Sequence, residues 1–165
     1  MFERACGSLR NASRICTPIL QKINVYFVVH PYTQAMTTLD RWLPLIGRLL
    51  FAFIFLTAAP RHFTAEGISH AADLGVPLAN IFVPLSGILA IVGALSVILG
   101  FHAKWGAWML VLFLVPVTLG MHQFWKIADA EHRHIQVAMF AKNISMLGGA
   151  LLLARHGSGA FSLRD

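Results

Sequence analysis

Four long apolar runs fill most of the chain beyond position 41, and they limit its fold more than any other feature. They extend from about Trp42 to Ala59, Pro77 to Gly100, Trp105 to Met121 and Ile135 to Ala154. The second and third carry no charge, the first carries Arg48 and the fourth carries Lys142. A bilayer core of about 30 Å is crossed by about 20 residues of α-helix, and each run is near that length. Burying four such helices in water would need a polar surface that the chain lacks. Of its 165 residues, 57% are hydrophobic and 12% charged, where soluble domains are about a quarter charged. A soluble enzyme, a nucleic-acid binder and a disordered tail are therefore all disfavoured. The expected fold is all-α, an integral-membrane up-down bundle of four transmembrane helices.

Residues 1–41 differ in character. They carry Arg4, Arg10, Arg14, Lys22 and Arg41, and their single apolar run, Val25 to Val29, is too short to span a bilayer. No small-residue cleavage site precedes the first long run, which argues against a signal peptide. Met36 opens a compact start, MTTLDRWLPLIGR. Two parts are therefore expected: a basic tail over 1–41, disordered or an over-extended start, and a membrane domain over 42–165. Cys6 and Cys16 both lie in the tail, and a single possible pair without secretory context gives no disulfide framework.

Short connectors and four spans bring both termini to one side. That side holds Arg4, Arg10, Arg14, Lys22, Arg41, Lys104, Arg155 and Arg164, whereas the other holds only Arg61, Lys126 and Arg133. Lys and Arg collect on the cytoplasmic side, so both termini are expected in the cytoplasm; a start at Met36 would narrow the margin. The net charge of +6 is thus a topology signal, and nucleic acid is not an expected partner.

Lipid supplies no hydrophobic drive between helices, so association rests on close packing and polar contacts. Ser86, Ala90, Gly93, Val97 and Gly100 recur at three- and four-residue steps and share one helix face. Ser145 and Gly149 lie four apart in the fourth span, beside Gly148. Both sets are expected to pack helices within one subunit, with a homo-oligomer seam as the alternative.

The intramembrane cations invite a functional reading, because an ionisable group at mid-helix costs about 2.5–3.5 kcal/mol on insertion scales. Snorkelling towards headgroups is the alternative for both Arg48 and Lys142. Topology gathers His62, His122, Gln123, Trp125, Lys142 and Asn143 at the outer third of the bundle. A cation, an imidazole and amides beside an apolar slot suit a quinone carbonyl, and an imidazole can exchange the proton that quinone reduction needs. A belt of polar residues capping helix ends is the blander alternative. His132 and His134 flank Arg133, which would repel a cation, so no metal site is expected there. No facing mid-helix histidine pair suggests heme, and no intrinsic cofactor is expected.

The blocks PLSGILAIVGALSVILGF, GAWMLVLFLVPVT, MHQFW and MFAKNISMLGGALLLARHGSGAFSL, with Gly75-Val76-Pro77 before the second span, resemble the DoxX family of small four-helix bacterial inner-membrane proteins. The resemblance covers about residues 41–163 and leaves the tail before Met36 unmatched. It implies a bacterial inner-membrane location, association with a quinone-linked or thiol oxidoreductase, and candidate sites at Arg48, His122, Phe124, Trp125, Lys142 and Asn143. Many relatives carry a glutamate near the position of Ile91, and its absence here argues against proton transfer through that span.

Two functions follow as expectations. One is a redox-associated subunit that contacts quinone or anchors an oxidoreductase partner, through His122, Trp125, Lys142, Asn143, Arg48 and His62. The other is a non-enzymatic scaffold or assembly protein. Small-solute transport ranks below both, since no inverted repeat is visible. No self-contained catalytic motif is present.

Overall fold

The computed structural model describes residues 38–164. Residues 1–37, including Cys6, Cys16 and most of the basic tail, lie outside the described residues, as does Asp165. The first helix, α1, spans Thr38–Ala58, and the second, α2, spans Ala65–Asp73. Then come α3 (Ala79–Leu99), α4 (Ala103–Met121) and α5 (Ala130–His156). Single 3-10 turns at Ala59–Phe63 and Phe124–Lys126 extend α1 and α4. α1 starts at Thr38, ahead of the apolar run, so residues 38–41 belong to the first helix and not to the tail. Asp40 sits in its first turn, where the helix dipole favours an acid.

Length and composition make α1, α3, α4 and α5 membrane spans. α1 and α3 have 21 residues each, about 32 Å at 1.5 Å per residue. The chain is an all-α multi-pass membrane protein. Pro44, Pro84 and Pro116 lie inside spans whose helical assignment continues through them. α2 is a short helix whose N-terminus is closed by Thr64, the hydroxyl accepting from the Gly67 amide at 3.1 Å.

The spans run up and down. One end, here the tail end, holds the start of α1, the α3–α4 turn and segment 157–164. The loop end holds residues 59–78 and 122–129. α3 packs most extensively on α4, α4 on α5, and α1 on α3. Their shared core is Ala52, Phe55, Ala90, Ala94, Val97, Ala107, Leu110, Phe113, Leu114 and Ala150. Large apolar side chains such as Leu50, Phe53, Leu85, Trp105, Leu112 and Leu152 are exposed. In water such a surface would be an aggregation hazard, whereas in a bilayer it is the solvent-facing one.

Small residues set the helix spacing, as lipid-embedded packing requires. Ala90, Gly93, Ala94 and Val97 turn one face of α3 inward, against Gly106, Ala107 and Leu110 of α4. A Cβ at Gly93 would stand 2.9 Å from the Gly106 carbonyl oxygen and 3.0 Å from Leu110. The stripe on α3 thus packs within the subunit. The fourth-span pair divides. A Cβ at Gly149 would lie 2.9 Å from the Phe51 ring of α1, while Gly148 has nothing within 4 Å and Ser145 is exposed.

Gly93→Leu should therefore separate α3 from α4 and destabilise the bundle by about 1–3 kcal/mol, the usual cost of overpacking. Gly120→Ala, where nothing lies within 4 Å, should leave stability unchanged or slightly raised. Thermal unfolding of both variants in detergent checks the contrast.

Candidate functional site

A polar side chain inside an apolar bundle must find a partner there or point outward. The destinations of six such groups define two separate sites.

At the tail end, Arg48 is 1% exposed. Its Nη2 donates to the carbonyl oxygens of Ala160 at 3.0 Å and Phe161 at 2.9 Å, and its Nε donates to Pro44 O at 3.3 Å. Segment 157–164 reaches this position by folding back under the bundle, with positive φ at Gly157 (84°) and Gly159 (70°). It continues along the α3–α4 turn. The amides of Leu163 and Arg164 donate to the carbonyls of Leu99 (3.2 Å) and Gly100 (3.0 Å), and the His102 amide donates to Arg164 O at 2.6 Å. These bonds serve carbonyls that the end of α3 leaves without helical partners. Gly100 is required twice over: its φ is 62°, and a Cβ there would strike both the Arg48 guanidinium and Ser162. Arg41 lies over the Phe161 ring at 5.5 Å, and Trp42 packs on the same ring at 4.8 Å. Arg48 thus does not snorkel; it ties α1 to the segment that follows α5.

At the loop end, two histidines sit at helix junctions. His62 Nδ1 lies 2.9 Å from Ser86 Oγ, and that hydroxyl donates to Val83 O at 2.7 Å. With the hydroxyl proton used there, Nδ1–H of His62 is the donor. The ring also packs on Phe113 at 5.5 Å. Gly87 permits this approach, since a Cβ would stand 2.7 Å from His62 Cβ. His122 Nδ1 donates to Gln136 Oε1 of α5 at 2.8 Å, and Gln123 Nε2 donates to Gly120 O at 3.0 Å. Phe124, Trp125 and Phe140 form an edge-on aromatic cluster over this junction, with centroids 5.1–6.1 Å apart.

The register of α5 decides which neighbours join. Gln136, Phe140, Asn143, Leu147 and Ala150 recur at four- and three-residue steps and face α4; Asn143 and Ala150 are buried. Lys142 lies about 100° round the helix from Asn143. It is exposed, and its Nζ contacts Met139 Sδ at 3.4 Å on its own helix. Of the sequence candidates, His122, Trp125 and Asn143 thus belong to the α4–α5 side of the loop end. His62 belongs to the α1–α3 side, Lys142 stands on the outer face, and Arg48 is at the opposite end. Sequence reading missed Gln136 and Ser86 as histidine partners. The seven-residue step from Gln136 to Asn143 was the available signal for the first.

His132 and His134 have local roles or none. Asp129 caps α5, its carboxylate accepting from the His132 amide and ring at 2.8 Å each. The amide bond first, then the ring bond, holds its carboxyl below the ordinary carboxylate range. Among the described residues no group of three His, Cys, Asp or Glu could hold a metal ion.

Comparison with known proteins identifies the family differently from the motif resemblance. The SURF4 family model matches residues 16–165. Curated relatives include the Surfeit locus protein 4 homolog of Schizosaccharomyces pombe, 30% identical over 73% of this chain and 36% of that protein. They also include the Escherichia coli inner membrane proteins YphA and YqjF. YphA is 28% identical over 72% of this chain and 86% of its own length, and YqjF is 32% identical over 72% and 87%. The chain thus spans about a third of the yeast relative and most of the bacterial ones. No solved structure matches it. The DoxX assignment is corrected by the SURF4 match, which also takes in residues 16–35, a stretch that the DoxX resemblance left unmatched. The blocks behind that resemblance are mostly span-forming apolar and small residues, which any bundle of this kind needs.

Replacing Arg48 by Ala should free segment 157–164 and cost about 3 kcal/mol, the range for breaking a buried charged hydrogen-bond set. Trypsin cleavage after Arg155 should accelerate in parallel, and Arg48→Lys should recover part of the protection.

Proposed function

The chain belongs to the SURF4 family, and from that membership together with its geometry we propose that it is a non-enzymatic assembly subunit that docks a partner's membrane helix against α5. The observation that carries this reading is Lys142. It stands near the middle of the 27-residue α5 and is exposed on the outer face of the bundle. A cation there costs about 2.5–3.5 kcal/mol on insertion scales, and a carboxylate from a neighbouring helix at the same depth would offset that cost. The surrounding face suits such a neighbour. Ala138, Ala141, Ser145 and Gly148 are exposed and small, so a second backbone can come close. α5 also buries only Asn143 and Ala150 inside the subunit. A second copy of this chain is disfavoured as the occupant, because a symmetric α5 seam would oppose two Lys142 charges.

The location proposed is the inner membrane of a bacterial cell, on the names of the two Escherichia coli relatives. Both termini are proposed to be cytoplasmic, because the basic residues gather at the tail end.

A photo-crosslinker at Ser145 should capture a membrane protein whose yield falls at least tenfold in Lys142→Glu. Reversing an acidic residue of the captured helix should restore it. Equal yield with Lys142→Glu, or no product, removes the proposal.

The loop end favours a second reading, contact with quinone as a bound and not a resident cofactor. The observation here is His122, whose tautomer is fixed by Gln136. It stands beside the Phe124–Trp125–Phe140 cluster, with Asn143 one heptad deeper on the α5 face. Titration with ubiquinone or menaquinone analogues should give binding that His122→Ala and Asn143→Ala each weaken about tenfold, the equivalent of one hydrogen bond. Absent binding, or binding unchanged in both variants, discards this reading.

A further inference from the structure

α1 and α5 meet where the Phe51 ring packs on Gly149, and on the tail side of that contact they part to leave a cleft of about 440 Å³. Pro44, Gly47 and Phe51 supply one wall, at three- and four-residue steps on a single face of α1. Gly149, Leu153 and His156 supply the other in the same way, and Arg48 lies at the base with segment 157–159 closing it below. Leu43, Leu50 and Leu152, beside these walls, are exposed, so the cleft opens sideways onto the surface that meets acyl chains. Gly47 has nothing within 4 Å of an added Cβ, which marks open space and not a packed seam.

The side chains around this cleft are mostly basic. Arg48 and His156 line it, Arg41 stands in the first turn of α1, and Arg155 stands in the last turn of α5. Lys104 and Arg164 belong to the same end, and among the described residues Asp40 is the one acid there. An apolar slot open to lipid with a basic mouth at headgroup level matches a ligand that has an acyl chain and a negative head. A second protein helix would fill the slot but would leave the basic mouth unanswered.

We propose that the α1–α5 cleft binds one anionic phospholipid, with an acyl chain along Gly47, on the tail side of the Phe51–Gly149 contact, and the phosphate against the Arg41, Arg155 and His156 side of the mouth. This site lies at the opposite end from the histidines; Gly149, Leu153 and His156 continue the α5 face of Lys142 towards the tail end, but the lipid uses none of the contacts proposed for Lys142.

The test is native mass spectrometry of the delipidated full chain titrated with phosphatidylglycerol or phosphatidylcholine. Phosphatidylglycerol should be retained at one per chain. Arg155→Gln and Arg41→Gln should each weaken it about fivefold, the effect of one basic residue near a headgroup, with phosphatidylcholine unaffected. Gly47→Leu, whose Cβ enters open space, should fill the cleft and abolish retention, and an unchanged unfolding temperature would show that the bundle is intact. Three results would each overturn the proposal: equal retention of the two lipids, retention that survives Gly47→Leu, or a dimer that Gly47→Leu dissociates.

Discussion

A guanidinium buried in an apolar bundle cannot be left to itself, and much of this structure follows from how Arg48 is answered. Its donors are buried by the protein and need oxygen atoms there, and the nearest source is backbone. Segment 157–164 supplies that source by leaving the helical path after His156 and turning through two glycines with positive φ. Once there, the segment's own amides serve the last carbonyls of α3. The α3–α4 turn can then be tight, closed by Gly100, His102 and the Ser96 hydroxyl bonded to Phe101 O at 2.6 Å. One cation thereby organises a helix start, a helix–helix turn and a folded-back tail. A charge that burdens the span where it sits becomes the fastener for that whole end.

The rest of the bundle is held by closeness. Its buried set is mostly alanine, with glycine where α3 meets α4, and larger side chains are sent outward. Burying bulk has no advantage when the surroundings are as apolar as the core, so contact area and van der Waals fit decide. The polar groups at the loop end follow the same economy. His62 finds Ser86 and His122 finds Gln136, each across a helix junction, so each hydrogen bond also fixes how two spans meet.

How much of this was legible beforehand depended on the period involved. The four spans, their order and the inward stripe on α3 can be read from residue spacing, because helix geometry turns spacing directly into facing. Ala90, Gly93 and Val97 are examples. Partners across loops were not legible. Nothing local in the sequence connects Arg48 to the carbonyls of Ala160 and Phe161, since backbone acceptors carry no residue signature. Lys142 and Asn143 show a finer limit. Adjacent in sequence, they were grouped together, yet the 100° step between neighbours on a helix puts one outside and the other in the core. The family was misread for a related reason: span-forming residues dominate the motifs, and they record membership of a bilayer more strongly than of a lineage.

The tie at Arg48 also has a consequence in time. The first span leaves the ribosome carrying a cation whose acceptors are 112 and 113 residues further along. Through the making of α2, α3, α4 and α5, that charge must be carried by water, headgroups or the insertion machinery. The early bundle is thus a provisional structure, and its closure waits on a short stretch of backbone that arrives after these four helices have been made. Local helix formation can proceed segment by segment, but the step that locks the tail end is a long-range one. A chain interrupted between α5 and Ala160 would possess all four spans and still lack the contact that fastens the first of them.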